Sequence, residues 1–112
     1  MTALAQSKSR RLKFQTLLQK TSGLPEPQVH FQPSNGMAMN YDGGVITYTF
    51  NREATQFADN LPYRSAMGYT VTVIHPDPDN EIKDKVASLP YCAFDRRFAV
   101  DGLNHDVYTI YF

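Results

Sequence analysis

Cys92, His105 and Asp106 are the residue types of a nucleophile, a base and an orienting carboxylate. Cys92 stands between aromatic residues in a segment with the composition of a strand, where a buried, unreactive thiol is expected. The sequence has no glycine-rich phosphate loop and neither H-E-x-x-H nor G-x-S-x-G. We therefore expect no enzymatic activity and no cofactor.

An acidic segment, Asp77–Glu81, offers the clustered oxygens that calcium binds. An EF-hand loop that began at Asp77 would place Ile82 at its glycine position and Ser88 at its glutamate position, so the motif does not fit. We expect these acids to cap a helix, with Asp77 as N-cap.

The residues of zinc-ligand type are His30, His75, His105 and Cys92. No two of them have the short spacing of structural zinc sites, so we expect no metal, although sequence leaves open their convergence in space.

The length of 112 residues and the hydrophobic content of 42% indicate one compact domain, residues 1–112. Residues 1–25 are basic and contain no acid, so the rest of this neutral chain has five more acidic than basic residues. The basic residues are Lys8, Arg10, Arg11, Lys13 and Lys20. A basic helix on an acidic body favours self-complementary or head-to-tail contacts, although a solvated surface helix explains the same residues. The basic excess is small for a dedicated nucleic-acid binder.

Cys92 is the one cysteine, which excludes an intrachain disulfide and favours synthesis and maturation in the cytoplasm. No apolar run approaches the roughly 18 residues of a membrane span, so we expect no membrane contact.

Periodicity predicts an α+β fold with the order α-β-β-β-α-β-β, in which helices pack on a small, mostly antiparallel or mixed sheet. After a frayed start at residues 1–8, the first helix is predicted at about Ser9–Thr21, ending before Gly23. Strands are predicted next at Gln28–Gln32, Val45–Phe50 and Tyr69–Ile74, the last with a backward continuation from Gly68 to Arg64. A second helix follows and is ended by Pro90. The last two predicted strands, one that starts with Cys92–Phe94 and one at Asp106–Phe112, flank an Asp101-Gly102 turn. A long loop, Asn51–Tyr63, separates the second and third strands.

Several separated segments resemble small tail proteins of long-tailed bacteriophages, a group labelled minor tail or minor capsid proteins. The segments are His30–Pro33, Phe57–Asn60, Tyr69–Asp79, Leu89–Arg96 and Leu103–Phe112. They occur in the same order, and the similarity covers about residues 28–112. In size and element order the group is similar to the lambda-type tail terminators. A departure from the group is Asp42-Gly43-Gly44, where a Tyr-Pro-like pair is expected before the second strand.

The resemblance implies a hexameric ring that caps the finished tail tube, stops its polymerisation and joins the tail to the head connector. The implied partners are copies of the chain, the major tail tube protein and a head-completion or connector protein, with DNA passing transiently through the ring lumen. The implied location is the head-proximal end of the virion tail. The alternatives are a head-completion or head–tail joining protein and, from another class, a small metal- or nucleic-acid-binding domain.

Charged and polar residues of the first helix, of the long loop with the residue that follows it, and of the last hairpin are the candidates for contacts between subunits or with the tube. They are Arg10, Arg11, Arg52, Asp59, Asn60, Arg64, Asp95, Arg96, Arg97, His105 and Asp106. Those of the last hairpin could equally pair within one chain, across the turn, and the long loop could be an ordinary mobile loop.

Overall fold

The computed structural model describes residues 3–33, 38–51 and 67–112, with the backbone alone for residues 3–7. The elements are, in chain order, α1 (Ala3–Ser22), β1 (Val29–Phe31), β2 (Val45–Phe50), β3 (Gly68–His75), α2 (Glu81–Ala87), β4 (Cys92–Val100) and β5 (Leu103–Tyr111), with a short 3-10 helix at Glu26–Gln28 before β1. The strands form one five-stranded mixed sheet, and both helices pack on the same face of it. The predicted α+β class and element order are confirmed over these ranges.

Helix α1 begins at Ala3, so the predicted start at Ser9 is corrected and the backbone is helical over most of the stretch predicted to fray. Residues 3–8 contain neither glycine nor proline and are mostly good helix formers, which explains the earlier start. The helix ends as predicted before Gly23, whose φ of 76° suits glycine and whose amide donates to the carbonyl of Gln19 over 2.9 Å. Phe14 and Leu18 are the fully buried residues of its apolar face.

The strand order is β1-β2-β3-β5-β4, with β1 parallel to β2 and every other neighbouring pair antiparallel. Strand β2 has the predicted bounds, and β3 extends one residue beyond the predicted strand at each end, to Gly68 and His75. Strand β5 begins at Leu103, three residues before the predicted start, because it pairs with β4 from the turn onward. Of the predicted continuation of β3 back to Arg64, Gly68 belongs to the strand and Met67 does not. Residues 64–66 and the long loop beyond Asn51 lie outside the described residues.

Helix α2 is capped by Asn80, so the prediction of Asp77 as N-cap is wrong. The Asn80 side chain accepts a hydrogen bond from the amide of Lys83 over 3.0 Å, whereas the carboxylate of Asp77 accepts from the amide of Asp79 over 2.9 Å, in the preceding turn. Asparagine and aspartate are both good N-caps, so residue type alone does not decide between Asn80 and Asp77.

Gly44 lies where α2 and the end of β3 approach the backbone. A Cβ at this residue would lie 2.8 Å from the ring of His75 and 2.9 Å from the side chain of Ile82, and its φ is 96°. Both the close approach and the left-handed backbone require glycine. Gly44 therefore allows α2 and the end of β3 to pack closely against this part of the backbone.

The core lies between the helices and one face of the central strands. Its aromatic centre is Tyr69, which stacks on Phe14 at 4.3 Å between ring centroids and on Phe50 at 5.4 Å. The core cluster also takes in Val86 of α2 and Tyr108 of β5. Strand β4 lies at the edge of the sheet, and its first residue, Cys92, packs against this core cluster.

Candidate functional site

Strand β4 is nine residues long and is exposed at every position after Cys92. Its large apolar side chains are exposed by 60% for Phe94, 41% for Phe98 and 51% for Val100. A register shift between Phe94 and Arg96 places the two phenylalanines on opposite faces, because Phe94 pairs with the core residue Tyr108 and Phe98 pairs with His105. A long edge strand with exposed aromatic residues on both faces is a surface for protein–protein contact.

The two phenylalanine rings are held in defined positions. Phe94 packs edge-on against Tyr108 with 5.8 Å between ring centroids, and Phe98 stacks on His105 at 4.6 Å with 12° between the ring planes. His105 thus supports Phe98 from the neighbouring strand, and its Nδ1 lies 3.2 Å from the carbonyl oxygen of Leu103. The rings are therefore presented to a partner with little loss of side-chain freedom on binding.

Arg97 and Asp106 form an ion pair across the hairpin, with 3.4 Å between Nε and Oδ1. Arg97 also donates from Nη2 to the carbonyl of Pro78 over 2.7 Å. Asp106 is 3% exposed, and its Oδ2 has no hydrogen-bond partner among the described residues. Of the two arrangements that the sequence left open for this pair, the structure has the intrachain one.

Asp95 and Arg96 form a separate, exposed pair at 3.0 Å. They are neighbours in sequence and lie at the register shift of β4, so this pair contributes little to stability. Both side chains remain accessible on the outer edge of the sheet.

The two arginines of α1 have different environments. The guanidinium of Arg11 lies 4.4 Å above the centroid of the Phe31 ring, a cation–π contact that ties α1 to β1. Arg10 lies at the wall of a surface cavity, which we call the apolar groove. The remaining candidates, Arg52, Asp59, Asn60 and Arg64, lie outside the described residues.

The apolar groove has a volume of about 380 Å³ and lies between α1, the segment that precedes β4 and the end of β5. Its walls are formed by Arg10, Leu17, Leu89, Pro90, Tyr91, Ile110, Tyr111 and Phe112. Arg10 is the charged residue among these described walls. Sequence reasoning named Arg10 but missed the groove, because its other walls come from three separate segments.

The residues of nucleophile type are not assembled. Cys92 pairs with Ile110, whereas His105 pairs with Phe98, six residues further along β4, which corresponds to about 20 Å. Burial raises the pKa of the half-buried Cys92 thiol to about 11, so it is protonated at neutral pH. Within the described ranges, no three side chains of His, Cys, Asp or Glu come together as a metal site.

Comparison with models of known protein families, with curated proteins and with solved structures finds no match to this chain. Among the helices that the structure describes, none combines the length and the apolar character needed to cross a membrane.

Proposed function

We propose that this protein is a structural virion protein that assembles into a ring, caps the tube of a phage tail, ends its polymerisation and joins the tail to the head connector. The observation that carries the proposal is β4, the nine-residue edge strand with exposed phenylalanines on both faces. Burying one such ring contributes about 1.5–3 kcal/mol to the free energy of association, so binding of a protein partner at this edge is favourable.

The two edges of the sheet differ, which favours a ring over a filament of stacked sheets. Edge strand β1 has three residues and the opposite edge, β4, has nine. The register shift in β4 and the charges of Asp95 and Arg96 interrupt regular backbone pairing along that edge. Contacts through side chains are then favoured over open-ended strand addition.

The resemblance to small phage tail proteins supplies the biological context of this proposal. It covers β3, the segment between Leu89 and Arg96, and all of β5, so it includes most of the β4–β5 hairpin. The proposed partners are further copies of the chain, the tail tube protein and the head connector. The proposed role is structural and needs no cofactor.

Two measurements test the proposal. Native mass spectrometry and light scattering of the purified chain should show a closed oligomer, expected to be a hexamer, and electron microscopy should show rings. Tails assembled without the protein should be overlong and variable in length, and adding it should restore one length, with antibody label at one tail end. A stable monomer at high concentration, with no effect on tail length, would refute the proposal. Label on isolated heads instead of tails would identify a head–tail joining protein.

A further inference from the structure

The chain has a projecting surface whose chemistry complements the apolar groove. We call the segment Phe98–Leu103 the hairpin tip; it comprises the end of β4, the Asp101-Gly102 turn and the first residue of β5. Phe98 and Val100 are large exposed apolar side chains of the tip, and Asp101 is its one charged residue. The tip therefore presents apolar groups with one adjacent negative charge, whereas the groove has apolar walls and one positive charge, that of Arg10.

The tip and the groove lie at opposite ends of the sheet. In β5, Leu103 belongs to the tip, while Ile110 and Tyr111 form walls of the groove. The eight steps along the strand from Leu103 to Tyr111 span about 27 Å. A tip therefore does not reach the groove of its own subunit. A contact between a tip and a groove would therefore join two copies, and such a contact between unlike surfaces is heterologous, the kind that closes rings.

The groove is large enough for the side chains that the tip offers. A cavity of about 150 Å³ is enough for a benzene ring, so the groove, at about 380 Å³, has room for two side chains of the size of Phe98 and Val100. These side chains would replace water against apolar walls such as Leu17 and Tyr91.

The charges around the two surfaces are also complementary. Close to Arg10 in sequence, helix α1 also carries Lys8, Arg11 and Lys13. The tip lies beside the acidic segment Asp77–Glu81, because Asn104 donates to the carbonyls of His75 and Pro76 just before it. Opposite potentials at the two ends of one subunit orient copies head to tail as they meet.

The nearest basic side chains of β4 do not cancel the negative charge of the hairpin end. Arg97 is paired with Asp106, and Arg96 is paired with Asp95. Asp101 is exposed, so its carboxylate is accessible at the turn.

We infer that the hairpin tip of one subunit inserts into the apolar groove of the next, with Phe98 and Val100 against the apolar walls and Asp101 facing Arg10. This inference rests on the proposed ring function and names the contact that builds the ring. Each subunit uses its tip on one neighbour and its groove on the other.

Charge changes on each surface test this contact separately. Arg10→Glu places a negative charge where Asp101 of the neighbour would lie, and Val100→Lys places a positive charge in an apolar groove next to Arg10. Each is expected to raise by about 10-fold or more the protomer concentration at which half of the oligomer has dissociated, measured by light scattering. The matched controls are Lys20→Glu on α1 and Glu26→Lys before β1, both exposed and outside the two surfaces, which should leave that concentration unchanged.

Mixing the two variants distinguishes a heterologous contact from a symmetric one. For this mixture the tip variant is Phe98→Ser, because the lysine of Val100→Lys would attract the glutamate of Arg10→Glu. The Arg10→Glu chain keeps a normal tip and the Phe98→Ser chain keeps a normal groove, so the mixture should form a heterodimer that grows no further. Far-UV circular dichroism checks that each variant is folded. If Arg10→Glu is unfolded, Tyr91→Asn is used as the groove variant, because asparagine suits the left-handed backbone at that residue. If Val100→Lys is unfolded, Phe98→Ser is used as the tip variant.

The outcomes separate this inference from the proposed function. Variants that dissociate alone and dimerise when mixed support both. An oligomeric wild type whose tip and groove variants remain equally oligomeric overturns the tip-in-groove contact and leaves the ring function standing. A wild type that is monomeric at all concentrations overturns both.

Discussion

The hydroxyl of Tyr69 is buried at the aromatic centre of the core, and replacing it should stabilise the protein. Tyr69 is 0% exposed, and its hydroxyl has no hydrogen-bond partner in the part of the chain that the structure describes. Leaving a buried hydroxyl without a partner costs about 1–3 kcal/mol relative to water. Tyr69→Phe removes that cost and keeps the ring stacked on Phe14 and Phe50.

We expect Tyr69→Phe to raise the free energy of unfolding by about 1 kcal/mol, since the space left by the oxygen offsets part of the gain. The matched variant is Tyr108→Phe, because the Tyr108 hydroxyl donates to the carbonyl of Lys83 over 3.0 Å. Losing that bond should lower the free energy of unfolding by about 1 kcal/mol. The same chemical change should thus have opposite signs at two buried tyrosines.

Urea titration followed by far-UV circular dichroism is the suitable assay, because the chain contains no tryptophan. With a slope of about 2 kcal/mol/M, each variant should move the urea midpoint by about 0.5 M in its own direction. All variants must be compared at one protomer concentration, because self-association adds stability that depends on concentration. A midpoint for Tyr69→Phe that falls as far as that of Tyr108→Phe would refute the absence of a partner for the Tyr69 hydroxyl.

Three further predictions concern charge and capping. Burial raises the pKa of Tyr69 to about 12, above that of the unfolded chain, so the unfolded state releases this proton first. The free energy of unfolding should therefore be unaffected by this group below about pH 10 and should fall between about pH 10 and 12, by up to about 1.4 kcal/mol per pH unit in urea titrations. Arg97→Ala leaves Asp106 buried without its cation and should cost about 1–3 kcal/mol, whereas Arg96→Ala should cost under about 0.5 kcal/mol; equal midpoints would contradict this. Asn80→Ala removes the cap of α2 and should lower the melting temperature by the equivalent of about 1 kcal/mol, and an unchanged value would exclude this cap.

The local elements were largely predictable because each depends on neighbouring residues. Strand β2 alternates in sequence and begins after Gly43-Gly44, so its bounds matched the prediction. The end of α1 follows from Gly23, which favours the left-handed backbone at a helix terminus. The start of α1 was predicted too late, because good helix formers without a marked apolar period still continue a helix.

The candidate site was predictable in residue type but not in arrangement. Arg97 and Asp106 were selected as polar candidates from their residue types, and only the register of β4 with β5 places them side by side within one chain. Arg10 was selected for its charge, and only packing shows that it stands at a groove. Whether the four residues of zinc-ligand type converge likewise depends on their positions in space, because no two of them have the short sequence spacing of structural zinc sites.

By itself, the sequence determined the α+β class, the order of the elements and the polarity of a basic first helix on an acidic body, because these follow from local periodicity, turn residues and composition. The tertiary structure decided that β5 lies between β3 and β4, and so left β4 at the edge with both faces exposed. It also decided that the apolar groove and the hairpin tip stand at opposite ends of one sheet. Such placements depend on pairing between distant segments, where the free energy of the whole sheet outweighs any local preference.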